Sequence, residues 1–208
     1  AIGRQALVAN TTGAANTAIG CGALDANTTA SNNIAVGTNA LGANTTGEVN
    51  TAVGTASMAT NTTGFGNTAV GKNSLYTNNG NNNTAVGHEA LELNTSGASN
   101  VAVGRQALEA NTTGANNTAL GCGALAANTT ASSNTSLGRN SLFANQTGCC
   151  NTANGMGALT ANQSGDNNVA VGVLALGANI GADNNTAVGF CSLQANTSGS
   201  QNTALGSV

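Results

Sequence analysis

The chain has 208 residues, 5% of them charged, a net charge of −3, 29 Gly, no Pro, no Trp and three Phe. Four Lys plus Arg leave no basic footprint for nucleic acid. A single His and five Cys without a CxxC pair leave no zinc set, and neither a Ser-His-Asp arrangement nor a glycine-rich phosphate loop is present. The chain is therefore expected to be non-catalytic, with no cofactor and no metal. Its near-balanced charge separates it from highly charged disordered chains. Its apolar runs are too short for membrane insertion, and no basic start followed by an apolar stretch marks a signal peptide.

Order must come from repetition. A glycine closes an A-V-G, A-I-G or A-L-G tripeptide, or a close variant of it, at Gly3, Gly20, Gly37, Gly54, Gly71, Gly87, Gly104, Gly121, Gly138, Gly155, Gly172, Gly189 and Gly206. Eleven of the twelve intervals equal the spacing of seventeen between Gly3 and Gly20, and the one ending at Gly87 is shorter by one. The consensus is N-T-A-V-G-x-x-A-L-x-A-N-T-T-G-x-x, and residues 1–208 read as a single repeat array. Residues 4–33 match 105–134 at 25 of 30 positions, which points to growth by duplication.

Within one repeat the elements follow in order. Four residues after the glycine stands Leu, as at Leu7 and Leu24, replaced once by Met58. Seven after it stands Asn in every repeat, starting at Asn10 and Asn27. The N-T-T-G segment that follows is turn chemistry. A second invariant Asn, starting at Asn16 and Asn33, precedes the short β-branched segment T-A-V. Poor helix formers and a unit shorter than a helix-pair repeat argue for extended structure.

The pattern predicts an all-β parallel solenoid of about twelve coils, each one seventeen-residue repeat, with short strands at N-T-A-V and A-L-x-A. Stacked at about 4.8 Å, twelve coils span roughly 58 Å. Each Asn column is expected either to form a hydrogen-bonded ladder along the stack or to supply a left-handed turn residue. Alternation puts the Thr and Val of T-A-V on one face. That face is expected to line the interior with Leu. The Ala between them would then point outward, as a small-residue face for another chain, which predicts an oligomer.

The segments Asn67–Leu75 (NTAVGKNSL) and Asn100–Leu108 (NVAVGRQAL) resemble the head repeats of YadA-type trimeric autotransporter adhesins. The longer form NTALGCGALAANTT resembles repeat arrays of phage tail fibres. The resemblance covers the whole chain. It implies a left-handed β-roll, a homotrimer around a central axis, and surface attachment as an extracellular, cell-surface or virion fibre. The adhesin head repeat is typically shorter, so the extra turn residues here depart from it. The first and last repeats are cut mid-unit, which predicts a segment of a longer fibre or end-to-end stacking.

Binding would use variable outward positions. One column follows the glycine and includes Lys72, His88 and the apolar run Met156, Val173 and Phe190. Another lies five residues after it and includes Asp25, Tyr76, Glu92, Glu109 and Phe143. Tyr76 with Lys72, His88, Glu89 and Glu92, together with Phe143, forms the candidate surface for a cell-surface glycan or protein receptor. Solvated irregular coils are the plainer reading of the same residues. Cys21 and Cys122 occupy equivalent places too far apart to bond within a chain, so the cysteines read as tolerated substitutions. Ten repeats read N-x-S/T at the Asn seven after the glycine, which follows from the turn consensus itself.

Three functions compete. The first is a structural and adhesive segment of a trimeric attachment fibre. The second is a homopolymeric extracellular filament. The third is an ice-binding solenoid using the strand Thr column with Thr11, Thr28, Thr45 and Thr62. Ile34, Val101 and Val169 interrupt that strand column and argue that it points inward.

Overall fold

A computed structural model describes residues 1–207. Twelve three-residue strands run from β1 (Thr17–Ile19) through β4 (Thr68–Val70) and β5 (Thr84–Val86) to β12 (Thr203–Leu205). They form one parallel sheet in strict sequence order, each strand pairing with the next. The register follows the repeat: Thr17 pairs with Ile34, and Ala18 with Ala35. The chain is a parallel β-solenoid, and no helix occurs among the described residues.

The alternation is as expected, but the faces are reversed. The Ala column is the buried one: Ala35, Ala52, Ala69, Ala85 and Ala102 are each 0% exposed. Thr and Val flank it and point outward, with Ile19, Ile34 and Leu120 at 40%, 43% and 40% exposure. The reason is volume. The interior holds one large side chain per coil, Leu as at Leu24, Leu41 or Leu91 and once Met58, against Ala, once Ser136, from the strand and Ala or Ser three residues after the glycine. Such a thin space is filled by one large and two small side chains. Turning Thr and Val inward would overfill it. A column confined to Ala and Ser therefore records an interior.

The expected second strand at A-L-x-A does not form. The segment after each glycine is a succession of tight turns. Ala6 N–H donates to Gly3 C=O at 3.3 Å, and Asn10 N–H to Leu7 C=O at 3.3 Å. The residue two after the glycine takes a left-handed conformation, as at Gln5 (φ 61), Asn39 (φ 55) and Gly123 (φ 68). So does the core residue, Leu7 (φ 53), Leu24 (φ 51) and Met58 (φ 52) among them. A bulky residue costs about 1–2 kcal/mol there. The cost is offset because the same residue buries its side chain and donates its N–H to the next coil, as Leu24 does to Ala40 C=O at 3.1 Å.

The glycines that end the strands cannot be replaced in this backbone. Gly104 has φ 134, a region open only to glycine, and a Cβ there would lie 2.6 Å from the Gly121 oxygen. Each such glycine stacks on the next.

Both Asn columns form ladders, and neither occupies the left-handed region. In one, side chains bond directly: Asn27 Nδ2 donates to Asn10 Oδ1 at 2.8 Å and to the Ala30 carbonyl at 3.0 Å. In the other, side chain and backbone interlock: Asn33 N–H donates to Asn16 Oδ1 at 2.9 Å, and Asn33 Nδ2 to the Gly47 carbonyl at 2.9 Å. Among the described residues no buried side-chain nitrogen or oxygen lacks a partner. That complete satisfaction lets so polar a sequence bury its Asn side chains.

The shortened repeat leaves the sheet undisturbed, since Thr68 pairs with Thr84 in register. The missing residue is absorbed in the turn. Elsewhere a backbone carbonyl collects the turn donors, as Thr28 C=O does from Thr11 N–H and Thr12 N–H. At the deletion the Asn79 side-chain oxygen takes over, accepting from Thr62 N–H, Thr62 Oγ1 and Thr63 N–H at 2.9, 2.9 and 3.2 Å.

Candidate functional site: a binding surface on the turn edge

The stack converts sequence columns into straight rows. The row five residues after the glycine runs along one edge of the turns. There Glu92 and Glu109 lie on neighbouring rungs, and Glu89 comes from the left-handed turn position of the Glu92 coil. One carboxylate oxygen from each lies within 4.8 Å of the others. His88 Nδ1 approaches Glu89 Oε2 at 3.3 Å. Gln106 Nε2 donates to Glu89 Oε2 at 3.1 Å, and Asn73 Nδ2 donates to Glu92 Oε1 at 3.3 Å.

Of the expected surface residues, the structure thus brings together His88, Glu89 and Glu92. Lys72 and Tyr76 are exposed nearby in the neighbouring coil. Phe143 is 45% exposed on the same row but several coils further along, so it belongs to a separate patch. Glu109 completes the acidic trio. The sequence signal for it was the spacing, since Glu92 and Glu109 are one repeat apart and must stack.

Crowding sets the electrostatics. The Glu92 carboxyl is held above the usual glutamate range, first by partial burial and then by the charges of Glu89 and Glu109. The Asn73 hydrogen bond and His88 oppose this. Three carboxylates are hard oxygen donors of the kind divalent cations take, but calcium takes six to eight oxygens. With one oxygen from each carboxylate, the trio falls well short of such a shell.

A second feature lies on the same row. Gly42 and Ala59 leave two rungs nearly bare between Asp25 and Tyr76, which opens a groove of about 420 Å³ bordered also by Asn39 and Thr60. A Cβ at Gly42 would meet the Asp25 Oδ1 at 3.4 Å, an ordinary contact, so the notch has room for a side chain.

The five cysteines are all free thiols. Cys149 N–H donates to Asp166 Oδ1 at 2.7 Å, and its thiol lies 3.4 Å from the same oxygen. Burial first, then the Asp166 hydrogen bond and charge, push the Cys149 thiol up to about 11. It is a poor nucleophile at neutral pH.

The strand face is the third surface. Its two outward columns hold only Thr, Val, Ile, Leu and the single Asn154, without one charged residue. Fold and surface together define the class: a parallel β-solenoid with buried asparagine ladders, one uncharged face and one variable edge. Comparison with known proteins finds no matching family model, no matching curated protein and no matching solved structure.

Proposed function

We propose that the chain is a structural and adhesive segment of a homotrimeric attachment fibre, built from left-handed coils of one seventeen-residue repeat each and exposed outside the cell or on a virion. The observation that carries this reading is the strand face. Twelve consecutive rungs present outward only Thr or other β-branched residues in one column and, apart from Asn154, Ile, Val or Leu in the other, and Ile2, Ile19, Ile34, Val70, Val86, Leu120 and Leu205 are all among the exposed large apolar residues. A solvated sheet face accepts Lys, Glu and Thr freely, and a long uncharged one is a pairing liability. Copies of the chain packed around an axis through this face would remove that liability. The contact role first expected of the Ala column is here proposed for the Thr and Val columns.

Light scattering on gel-filtered protein tests it. The expected mass is three times the 19.9 kDa of one chain. A stable monomer at micromolar concentration would end the trimer reading.

One observation favours a second reading. The strand Thr column points outward, so Ile34, Val101 and Val169 no longer argue against a water-ordering, ice-binding face. That function needs the face open, whereas the trimer buries it. A monomer showing thermal hysteresis would replace the fibre reading with this one.

A further inference from the structure

We propose that the groove between Asp25 and Tyr76 is a binding site for an uncharged oligosaccharide, with two pyranose rings lying along the solenoid axis. The argument starts from rung spacing. Asp25, Gly42, Ala59 and Tyr76 occupy one row on four successive coils, so the backbones at the two ends are about 14 Å apart, with the Asp25 carboxylate reaching over Gly42. Between them Gly42 and Ala59 supply a flat floor without large side chains to obstruct it. The volume of about 420 Å³ falls within the range of small-molecule sites.

The lining is of mixed chemistry, as sugar recognition requires. A pyranose has an apolar face of C–H groups and a rim of hydroxyls. Tyr76, 36% exposed, offers an aromatic surface for the first. Asp25 and Asn39 offer hydrogen-bond groups for the second. Thr60 adds a hydroxyl that is already oriented, because its Oγ1 donates to the Tyr76 carbonyl at 2.9 Å and so keeps its lone pairs free to accept. The same bond fixes the Tyr76 backbone relative to the floor.

Two other ligand types fit less well. The one charged residue bordering the groove is Asp25, which disfavours anionic sugars and phosphates. An ammonium group would need the carboxylate and the aromatic face together within about 6 Å of it. Here the Asp25 carboxylate lies over Gly42, and Tyr76 belongs to a coil two rungs beyond. Recurrence along the row supports the design: Phe143 likewise follows the small Ala126, which in turn follows Glu109.

The biological use of such a site rests on the attachment reading, but the binding itself does not. Saturation-transfer NMR with maltose, cellobiose and lactose at millimolar concentration tests it on the full chain. Transfer is expected to at least one disaccharide. It should fall about tenfold or more in Tyr76→Ala and in Gly42→Phe. Gly42 has no left-handed requirement, and aromatic side chains already stand at the equivalent positions 76 and 143, so Gly42→Phe fills the notch without disturbing the coil. An unchanged melting temperature verifies this. Absence of transfer to all three sugars overturns the proposal, as does transfer that survives Gly42→Phe. Displacement of the sugar by tetramethylammonium at equal concentration overturns it in favour of a cation site. A monomer that binds sugar would sink the trimer and leave the groove standing; a trimer that binds none would do the reverse.

Discussion

The strand face and the turn edge cross the same stack of twelve strands, rest on the same interior and yet follow different rules. On the edge, the row from Asp25 to Gln194 holds Gly, Ala, Thr, Gln, Tyr, Phe, Asp and Glu. On the strand face, nothing charged occurs in either column. Folding of one chain explains the Ala, Leu, Asn and Gly columns, because each is buried or sterically closed. It does not explain why outward Val103 and Val171 should resemble each other more than Tyr76 and Glu92 do. Uniformity on a face whose side chains are only half-buried or exposed is what the proposed assembly would impose, whereas the edge shows what the same backbone tolerates when unconstrained.

The sharpest way to break this comparison is to move the same substitution between regions. Gly104→Ala places a methyl 2.6 Å from the Gly121 oxygen at a backbone angle closed to alanine. It is expected to cost about 3 kcal/mol or more. Gly42→Ala on the edge meets its nearest atom at 3.4 Å and is expected to change stability by less than about 0.5 kcal/mol. Urea denaturation of both variants checks this. Equal costs would mean that the stacked glycines are not what fixes the coil.

Next in size is the ladder. Asn111 donates to Asn94 Oδ1 at 2.7 Å and to the Gly114 carbonyl at 3.0 Å, and it accepts from Asn128 at 2.8 Å. Asn111→Ala strands buried partners on both sides and is expected to cost about 2–3 kcal/mol. The nearby Thr113→Ala, at an exposed turn position, is expected to cost under about 0.5 kcal/mol. Hydrogen exchange should show the first opening locally over two or three coils, since each coil contacts only its neighbours. Global loss of protection would contradict that one-dimensional picture.

Much of this was legible in the sequence. The invariant Asn columns were open to ladders, because an amide both donates and accepts, and equally to left-handed turn residues, while the period pointed to a parallel stack. The facing of the strand was not legible from alternation, which says only that Thr and Val share a side. Side-chain volume held the answer: eleven Ala and one Ser mark the tight interior more reliably than the aliphatic Val marks it. The left-handed Leu could not be read at all, since leucine has no local preference for that conformation and adopts it under tertiary constraint. The left-handed position two after the glycine was readable. It holds Gly or Asn in six of twelve repeats, the signature of a tight turn rather than a strand. On the edge, Tyr76 was visible as a surface aromatic, but its pairing with Asp25 across Gly42 and Ala59 needs the stack to bring four repeats into one row.

A charge placed on the uniform face separates the chain's own needs from those of its assembly. Val103→Lys leaves the interior untouched, and in an isolated chain it is expected to change stability by less than about 0.5 kcal/mol. In the proposed trimer it would put three ammonium groups around one axis, so the expected result is loss of the trimeric species in light scattering. Thr38→Lys, at an exposed position beside the strand in the column after the glycine, is expected to leave the mass unchanged. Identical behaviour of the two variants would remove the distinction between face and edge.

The smallest effect lies within the edge itself, at the acidic trio. Glu92 binds its proton more tightly in the folded chain than in the unfolded one, because burial and the charges of Glu89 and Glu109 disfavour its ionised form. Between the unfolded and folded pKa values the native state therefore carries more protons, so this group's contribution to stability falls as pH rises and recovers as pH drops. At neutral pH the ionised Glu92 is a burden. Glu92→Gln keeps an oxygen acceptor for Asn73 Nδ2 and removes the charge. The variant is expected to be slightly more stable than the parent at pH 7, with the difference closing as pH falls through the raised range where Glu92 takes up its proton. Paired thermal melts from pH 7 to pH 4 read that difference directly. A gap independent of pH would mean that the trio does not crowd its charges. A parent more stable than the variant at pH 7 would mean that the ionised carboxylates are held by something that rewards negative charge on this edge.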